Sequence, residues 1–143
     1  ISNFKWILIG GVDSNALDQI NSEIEKYEIS TKNFEYIGPR FNPYPYIKNS
    51  SILVSTSSSE ACPFVVNEAR VLGTPIVANN YPSIYEFIND GVNGRICTID
   101  EMPQILTNLI KNKEILSILE QGIKEDRYNN DKIIKQICDL FDK

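Results

Sequence analysis

The sequence predicts an α/β fold in which helices cover both faces of a doubly wound, mostly parallel sheet. Two observations carry this prediction. Short apolar runs alternate along the 143 residues with stretches whose apolar side chains recur at helical spacing. Glycine, proline and capping residues stand at the boundaries between these stretches. Sheets of this kind bind ligands at the carboxyl ends of their strands.

Five apolar runs are short enough to be buried strands, and turn residues bound each of them. The first run ends in the pair Gly10-Gly11, and the second is followed by Pro39. The predicted strands are residues 4–11, 34–38, 51–57, 74–79 and 95–99.

Helices are expected between and after these strands. In the first, Ser14 or Asp13 can act as the N-cap. Pro63 suits the first turn of a later helix and Gly73 suits its end. The two prolines of residues 43–50 predict a loop or a single helical turn. The expected helices are residues 14–27, residues 63–72, a short helix opened by a capping box at Ser83–Glu86, and terminal helices over about residues 100–143.

Composition limits the function classes. The formal net charge of −5 argues against a nucleic-acid partner, and the absence of histidine removes the commonest metal ligand, so no metal is expected. The cysteines Cys62, Cys97 and Cys138 are scattered and odd in number, which favours a reducing, cytoplasmic location. No run approaches the ~18 apolar residues of a membrane span. Peripheral association of the intact protein with the inner face of the membrane stays open.

The length of the chain corresponds to one ordinary domain, which we predict to span residues 1–143. The first residue is Ile1 and the one methionine is Met102. We therefore interpret the sequence as a piece of a longer protein, truncated on its N-terminal side.

The most informative stretch is residues 57–75, which carries two carboxylates. On a helical wheel of residues 63–72, Glu68 lies at the margin of the apolar side. That position fits a rim charge that reaches water or an internal cation, and it equally fits a group that binds a ligand. The wheel places Val65, Val66, Ala69 and Leu72 on the apolar face, with Asn67 and Arg70 opposite, on the wet side.

Glu60 precedes the same helix, and two interpretations are open for it as well. An acidic group near a helix N-terminus is stabilised by the helix dipole. A carboxylate in the loop after a strand can also face a ligand. The helix start should leave the N–H groups of Phe64, Val65 and Val66 unpaired, which suits a phosphate. Hydroxyl-binding carboxylates beside phosphate-binding amides fit a nucleotide-sugar.

These residues carry a resemblance to a known family. The spacing from Glu60 to Glu68, followed by "ARVLGTPIVANN", is similar to the E-G-F-G-x-x-x-x-E-A-x-x-x-G-x-P-V-V pattern of the retaining glycosyltransferases of family 4, which are of the GT-B type. The later "YPSIYEFINDGVNGRI" resembles the family's P-E-x-I-x-D-G-x-N-G segment. The similarity extends from about Trp6 to Leu119.

The resemblance implies a Rossmann-like donor-binding domain, one half of a GT-B enzyme, with a UDP-, GDP- or ADP-sugar as the donor and no further cofactor. It implies that Glu60 is catalytic and holds the transferred sugar, and that Glu68 accepts the ribose hydroxyls. By position, the sugar and diphosphate would face Cys62, Phe64 and Val65, and the nucleobase would face Gly38, Pro39 and Arg40.

Two departures from the family pattern are visible. Ala61 and Pro63 stand where the family has glycines, and proline has no N–H to offer a phosphate. The cationic residues that clamp the diphosphate in the family, and the acceptor domain, would precede residue 1. We therefore expect the isolated chain to lack transferase activity. The alternatives left open are a nucleotide-sugar epimerase of the same architecture and a non-catalytic α/β binding module.

Overall fold

The computed structural model of the chain describes residues 4–125. These residues form two compact parts, and the division falls between Pro45 and Tyr46. Each part contains a parallel sheet, which confirms the predicted α/β class. No helix among residues 4–125 is long and apolar enough to cross a bilayer.

The first part consists of a strand–helix–strand unit. It comprises β1 (Trp6–Ile9), α1 (Ser14–Lys26) and β2 (Phe34–Gly38). The strands pair in parallel with Trp6 opposite Phe34, and the register shifts between Leu8 and Ile9. The Asp13 carboxylate caps α1 by accepting the N–H of Ala16 at 2.7 Å, so Asp13 is the cap of the two predicted candidates.

The second part is built on a three-stranded parallel sheet of order β3-β4-β5. The helix α2 (Tyr44–Asn49) contains the division between the parts and precedes this sheet. The remaining elements are β3 (Leu53–Ser55), α3 (Phe64–Leu72), β4 (Ile76–Asn79), a 3₁₀ helix (Pro82–Glu86), β5 (Gly94–Cys97), α4 (Met102–Lys111) and α5 (Lys113–Glu125).

The central strand β4 divides the core of this part into two clusters. Side chains alternate between the faces of a strand, so Ile76 and Ala78 pack into one cluster and Val77 into the other. The first cluster includes Val66 of α3, and the second includes Leu109 of α4. Both faces of the sheet are therefore covered, as the doubly wound pattern predicts.

The terminal helices begin where the apolar stripes predict them. Leu109 of α4, and Leu119 and Ile123 of α5, are each at most 2% exposed. The predicted continuation of the helical pattern to residue 143 lies outside the described residues beyond Glu125.

One predicted local feature is wrong. Ser83–Glu86 does not form a capping box, since the helix there is a 3₁₀ helix that begins at Pro82 and has no side-chain cap. The Ser83 hydroxyl instead donates to the carbonyl oxygen of Glu60, 23 residues away in the chain. The Ser83 hydroxyl therefore bonds to a distant segment of the chain instead of capping the helix as its spacing to Glu86 predicts.

Candidate functional site

The loop between β3 and α3 holds Glu60 at the carboxyl end of β3. Ser57 Oγ donates to the Oε1 atom of Glu60 at 2.5 Å, within the range of charge-assisted O–H···O⁻ bonds. Ser83 donates to the Glu60 carbonyl oxygen, and Asn79 Nδ2 donates to the Ser57 carbonyl oxygen at 3.1 Å. Because Asn79 and Ser83 both belong to the chain at the end of β4, two neighbouring strands fix the position of this loop.

The carboxylate of Glu60 retains capacity to bind a ligand. The side chain is half-buried, and within residues 4–125 only its Oε1 atom accepts a hydrogen bond. An ionised carboxylate has about four acceptor sites, so most of them face no protein donor here. Glu60 can therefore accept further hydrogen bonds from hydroxyl groups.

The start of α3 supplies backbone donors beside this loop. In the described chain, the N–H groups of Phe64 and Val65 have no hydrogen-bond acceptor. The prediction for Val66 is wrong, since its N–H donates to the carbonyl oxygen of Pro63 at 3.1 Å. Pro63 is the N-cap residue and precedes the helix rather than occupying its first turn. Two amide donors therefore stand at the positive end of the helix dipole.

The faces of α3 differ in part from the helical wheel. Val66 and Ala69 are fully buried as predicted, whereas Val65 is 37% exposed. Arg70, predicted on the wet side, is only partly exposed and has its Nε atom buried. Glu68 is half-buried, consistent with the margin of the apolar side, and it has interaction partners in the structure.

The remaining predicted site residues lie in two places. Cys62 is exposed in the β3–α3 loop, and its Sγ atom is 4.0 Å from Asn67 Nδ2. Gly38 ends β2 with a positive φ of 69°, and Pro39 and Arg40 follow it as exposed residues. Gly38, Pro39 and Arg40 belong to the first part, whereas Glu60, Cys62, Phe64, Val65 and Glu68 belong to the second.

Tyr81 is a residue that the sequence did not single out. It follows β4 and is 3% exposed, yet its hydroxyl has no hydrogen-bond partner in the part that the structure describes. Burial, and secondarily the negative charge of Glu60, raise the pKa of the Tyr81 hydroxyl above its ordinary value. Tyr81 lies in the chain between Asn79 and Ser83, which both form hydrogen bonds with the Glu60 loop. These bonds, which connect Tyr81 with the candidate site, are visible only in the structure.

The site offers no obvious place for a metal ion. Across residues 4–125, no three Cys, Asp or Glu side chains are grouped closely enough to hold one. Metal-independent chemistry stays a prediction from the sequence.

The chain matches the family described as glycosyl transferases group 1 over residues 1–126. This match covers most of the chain, and the chain therefore belongs to the group 1 glycosyl transferases. A protein of Haemophilus influenzae described as an uncharacterized glycosyltransferase is 37% identical over 106 residues, which are 68% of this chain and 30% of that protein. A protein of Klebsiella pneumoniae, described as an uncharacterized 41.2 kDa protein in the cps region, is 27% identical over 108 residues, covering 74% of this chain and 28% of its own length.

Solved structures show the same fold. Anabaena Alr3699/HepE in complex with UDP-glucose matches 99% of this chain and 42% of its own with a TM-score of 0.80 at 20% identity. A mutant of S. aureus TarM, crystallised in complex with fondaparinux, alpha-GlcNAc-glycerol and UDP, matches 97% of this chain and 29% of its own with a TM-score of 0.76 at 23% identity. The chain thus spans about a third of the curated relatives' length and about two fifths of HepE. It has the architecture of one part of GT-B glycosyltransferases.

Proposed function

We propose that the chain is the donor-binding domain of a retaining glycosyltransferase, which transfers a sugar from a nucleotide-sugar to an acceptor hydroxyl. The observation that carries the proposal is the pairing of an oriented carboxylate with free backbone donors. Glu60 has acceptor capacity left over, and the N–H groups of Phe64 and Val65 lie at the start of the helix that follows its loop. Membership of the glycosyl transferase family supports it.

In the proposed complex each group has one role. Glu60 accepts hydrogen bonds from hydroxyls of the transferred sugar, and the amides of Phe64 and Val65 bind the diphosphate with Cys62 beside them. Glu68 accepts the two ribose hydroxyls, because a carboxylate can accept from vicinal hydroxyls with its two oxygens. The assignment of Gly38, Pro39 and Arg40 to the nucleobase stays a prediction from the sequence. UDP is the first nucleotide to test, because HepE, a structural relative, was crystallised with UDP-glucose.

The proposed chemistry is electrostatic. As the sugar–phosphate bond breaks, negative charge develops on the leaving nucleoside diphosphate. Amide donors at a helix N-terminus stabilise that charge without having to reorient, as an oxyanion hole does. The acceptor hydroxyl attacks the face of the sugar from which the diphosphate leaves, so the configuration of the sugar is retained.

A separate acceptor domain of the same protein would supply the acceptor, and the 143-residue chain alone would not turn over. We propose a cytoplasmic location for the donor site. Incubation of the chain with UDP-, GDP- and ADP-sugars, with the released nucleotide quantified, tests the proposed lack of turnover. Transfer of the sugar by the chain alone would show that a separate acceptor domain is not needed and that this proposal is wrong.

Amide chemical-shift mapping tests the location of the site. Adding UDP to the ¹⁵N-labelled chain is expected to shift the N–H signals of Phe64 and Val65, because their amides would bond to phosphate oxygens. Val66, whose N–H is already bonded to Pro63, should shift less and serves as the internal comparison. Shifts confined to residues away from the β3–α3 loop would contradict the assignment.

A further inference from the structure

We propose that Ser57 is a positioning residue that holds the Glu60 carboxylate in place to bind the sugar of the donor. The inference rests on the proposed function, since it assumes that Glu60 binds the transferred sugar. Ser57 touches no proposed ligand group itself. It acts through the 2.5 Å hydrogen bond from its hydroxyl to Oε1 of Glu60.

Two hydrogen bonds hold Glu60, one at its backbone and one at its side chain. The Ser83 hydroxyl holds the carbonyl oxygen of Glu60, and the Ser57 hydroxyl holds the Oε1 atom. Among the described residues nothing donates to the Oε2 atom. A free glutamate side chain samples several rotamers, and binding must then include the cost of fixing one of them. The hydrogen bond from Ser57 removes part of that cost before the sugar arrives.

Ser57 is itself held in place, which makes it an effective support. Its carbonyl oxygen accepts a hydrogen bond from Asn79 Nδ2 at 3.1 Å, so the neighbouring strand β4 anchors its backbone. Its side chain is half-buried, whereas the adjacent Ser58 is exposed and, within residues 4–125, its side chain makes no hydrogen bond. The sequence shows only a run of hydroxyl residues from Ser55 to Ser59, and the structure selects one of them for this role.

The prediction concerns a ratio of two affinities. Loss of the Ser57 hydroxyl should weaken the binding of UDP-glucose, because its sugar contacts Glu60. It should leave the binding of UDP unchanged, because UDP lacks the sugar. A role in stability alone would change both affinities together.

Isothermal titration calorimetry on the 143-residue chain, with UDP and with UDP-glucose, tests the proposal. The Ser57→Ala variant is expected to lose about three- to tenfold in affinity for UDP-glucose, which corresponds to the net worth of one hydrogen bond, and to keep its affinity for UDP. Ser57→Thr retains the hydroxyl and should restore the ratio. Ser57→Cys, a weaker donor of similar size, should give an intermediate ratio and replaces the alanine variant if that variant does not fold.

Two controls separate the outcomes. Ser58→Ala removes a neighbouring hydroxyl and should leave both affinities as in the unmodified chain. Glu60→Ala should abolish any preference for UDP-glucose over UDP. If the unmodified chain binds neither ligand, or if Glu60→Ala keeps the preference, the proposed function fails and this inference fails with it. If that preference depends on Glu60 but Ser57→Ala leaves the ratio unchanged or weakens both ligands equally, the positioning role alone is wrong.

Discussion

Removing the buried hydroxyl of Tyr81 and removing that of Thr74 should have opposite effects on the free energy of unfolding. Both residues are at least 97% buried in the second part. The Thr74 hydroxyl donates to the carbonyl oxygen of Ile47 at 2.8 Å, whereas the Tyr81 hydroxyl has no partner in the described chain. A buried polar group without a partner costs about 1–3 kcal/mol, and a bonded one contributes about 0.5–1.5 kcal/mol.

The substitutions Tyr81→Phe and Thr74→Val each remove the hydroxyl and keep most of the side-chain shape. We expect Tyr81→Phe to raise the free energy of unfolding by about 1 kcal/mol, because it removes an unpaired polar atom from the core. Thr74→Val should lower it by about 1–3 kcal/mol, because the Ile47 carbonyl loses its donor. With a urea m-value of about 1–3 kcal/mol/M, the two unfolding midpoints should move in opposite directions by about 0.3 M or more.

The pH dependence provides an independent check on Tyr81. Its pKa in the folded chain is raised above the ordinary value of 10.0. The unfolded chain therefore releases this proton first, so the free energy of unfolding falls as the pH rises from about 10 through the raised pKa. Tyr81→Phe has no such loss, so its advantage over the unmodified chain should widen between pH 7 and pH 10.5.

Urea unfolding followed by circular dichroism at both pH values measures these differences. The comparison of variants cancels contributions from other titrating groups, including Cys97, whose pKa is raised chiefly by burial. A Tyr81→Phe variant that is destabilised by more than about 1 kcal/mol at pH 7 would show that the hydroxyl has a partner and would refute the reasoning.

Two further predictions concern the helices of the second part. Gly122→Ala in α5 should destabilise the chain by about 1–3 kcal/mol, because the added Cβ would lie 2.0 Å from the Val92 carbonyl oxygen. Thermal unfolding measures the effect, and Gly11→Ala is the control, because its added Cβ meets no atom within 4 Å. The pKa of the Glu101 carboxyl is lowered because it accepts hydrogen bonds from the backbone and side chain of Thr98. The stability that the ionised carboxylate contributes should therefore be lost as the pH falls below about 4.5. Glu101→Gln should remove this part of the acid dependence of the free energy of unfolding, and an unchanged dependence in that variant would contradict the prediction.

Much of the fold could be predicted because local pattern and tertiary structure agree. The second strand was predicted without error at Phe34–Gly38, where Gly38 adopts a positive φ that ends it. The third strand was predicted at residues 51–57 but is observed as Leu53–Ser55. Its predicted end includes Ser57, whose carbonyl and hydroxyl groups bond to Asn79 and Glu60 instead of forming a strand. The sequence pattern cannot distinguish a serine that continues a strand from one that bonds to a neighbouring segment.

The details of the candidate site depend on contacts between distant segments. The glutamate spacing located the β3–α3 loop, but it did not reveal that Ser83 and Asn79 hold this loop. Helical periodicity placed Arg70 in solvent, whereas its Nε atom is buried. It also left the Val66 N–H unpaired, although the first turn of α3 brings the Pro63 carbonyl oxygen within 3.1 Å of it. Such partners follow from the folded path of the chain, which spacing alone does not specify.

The central claim is that the second part of this chain binds the nucleotide of an activated sugar through Glu68. Calorimetric titration of the chain and of Glu68→Ala with UDP, GDP and ADP tests this claim most directly, with thermal unfolding to verify that the variant is folded. We predict that at least one nucleotide binds the unmodified chain and that Glu68→Ala, which loses the acceptor for the ribose hydroxyls, abolishes this binding. Binding of the same nucleotide with equal affinity to both proteins, or binding of none, would contradict the account.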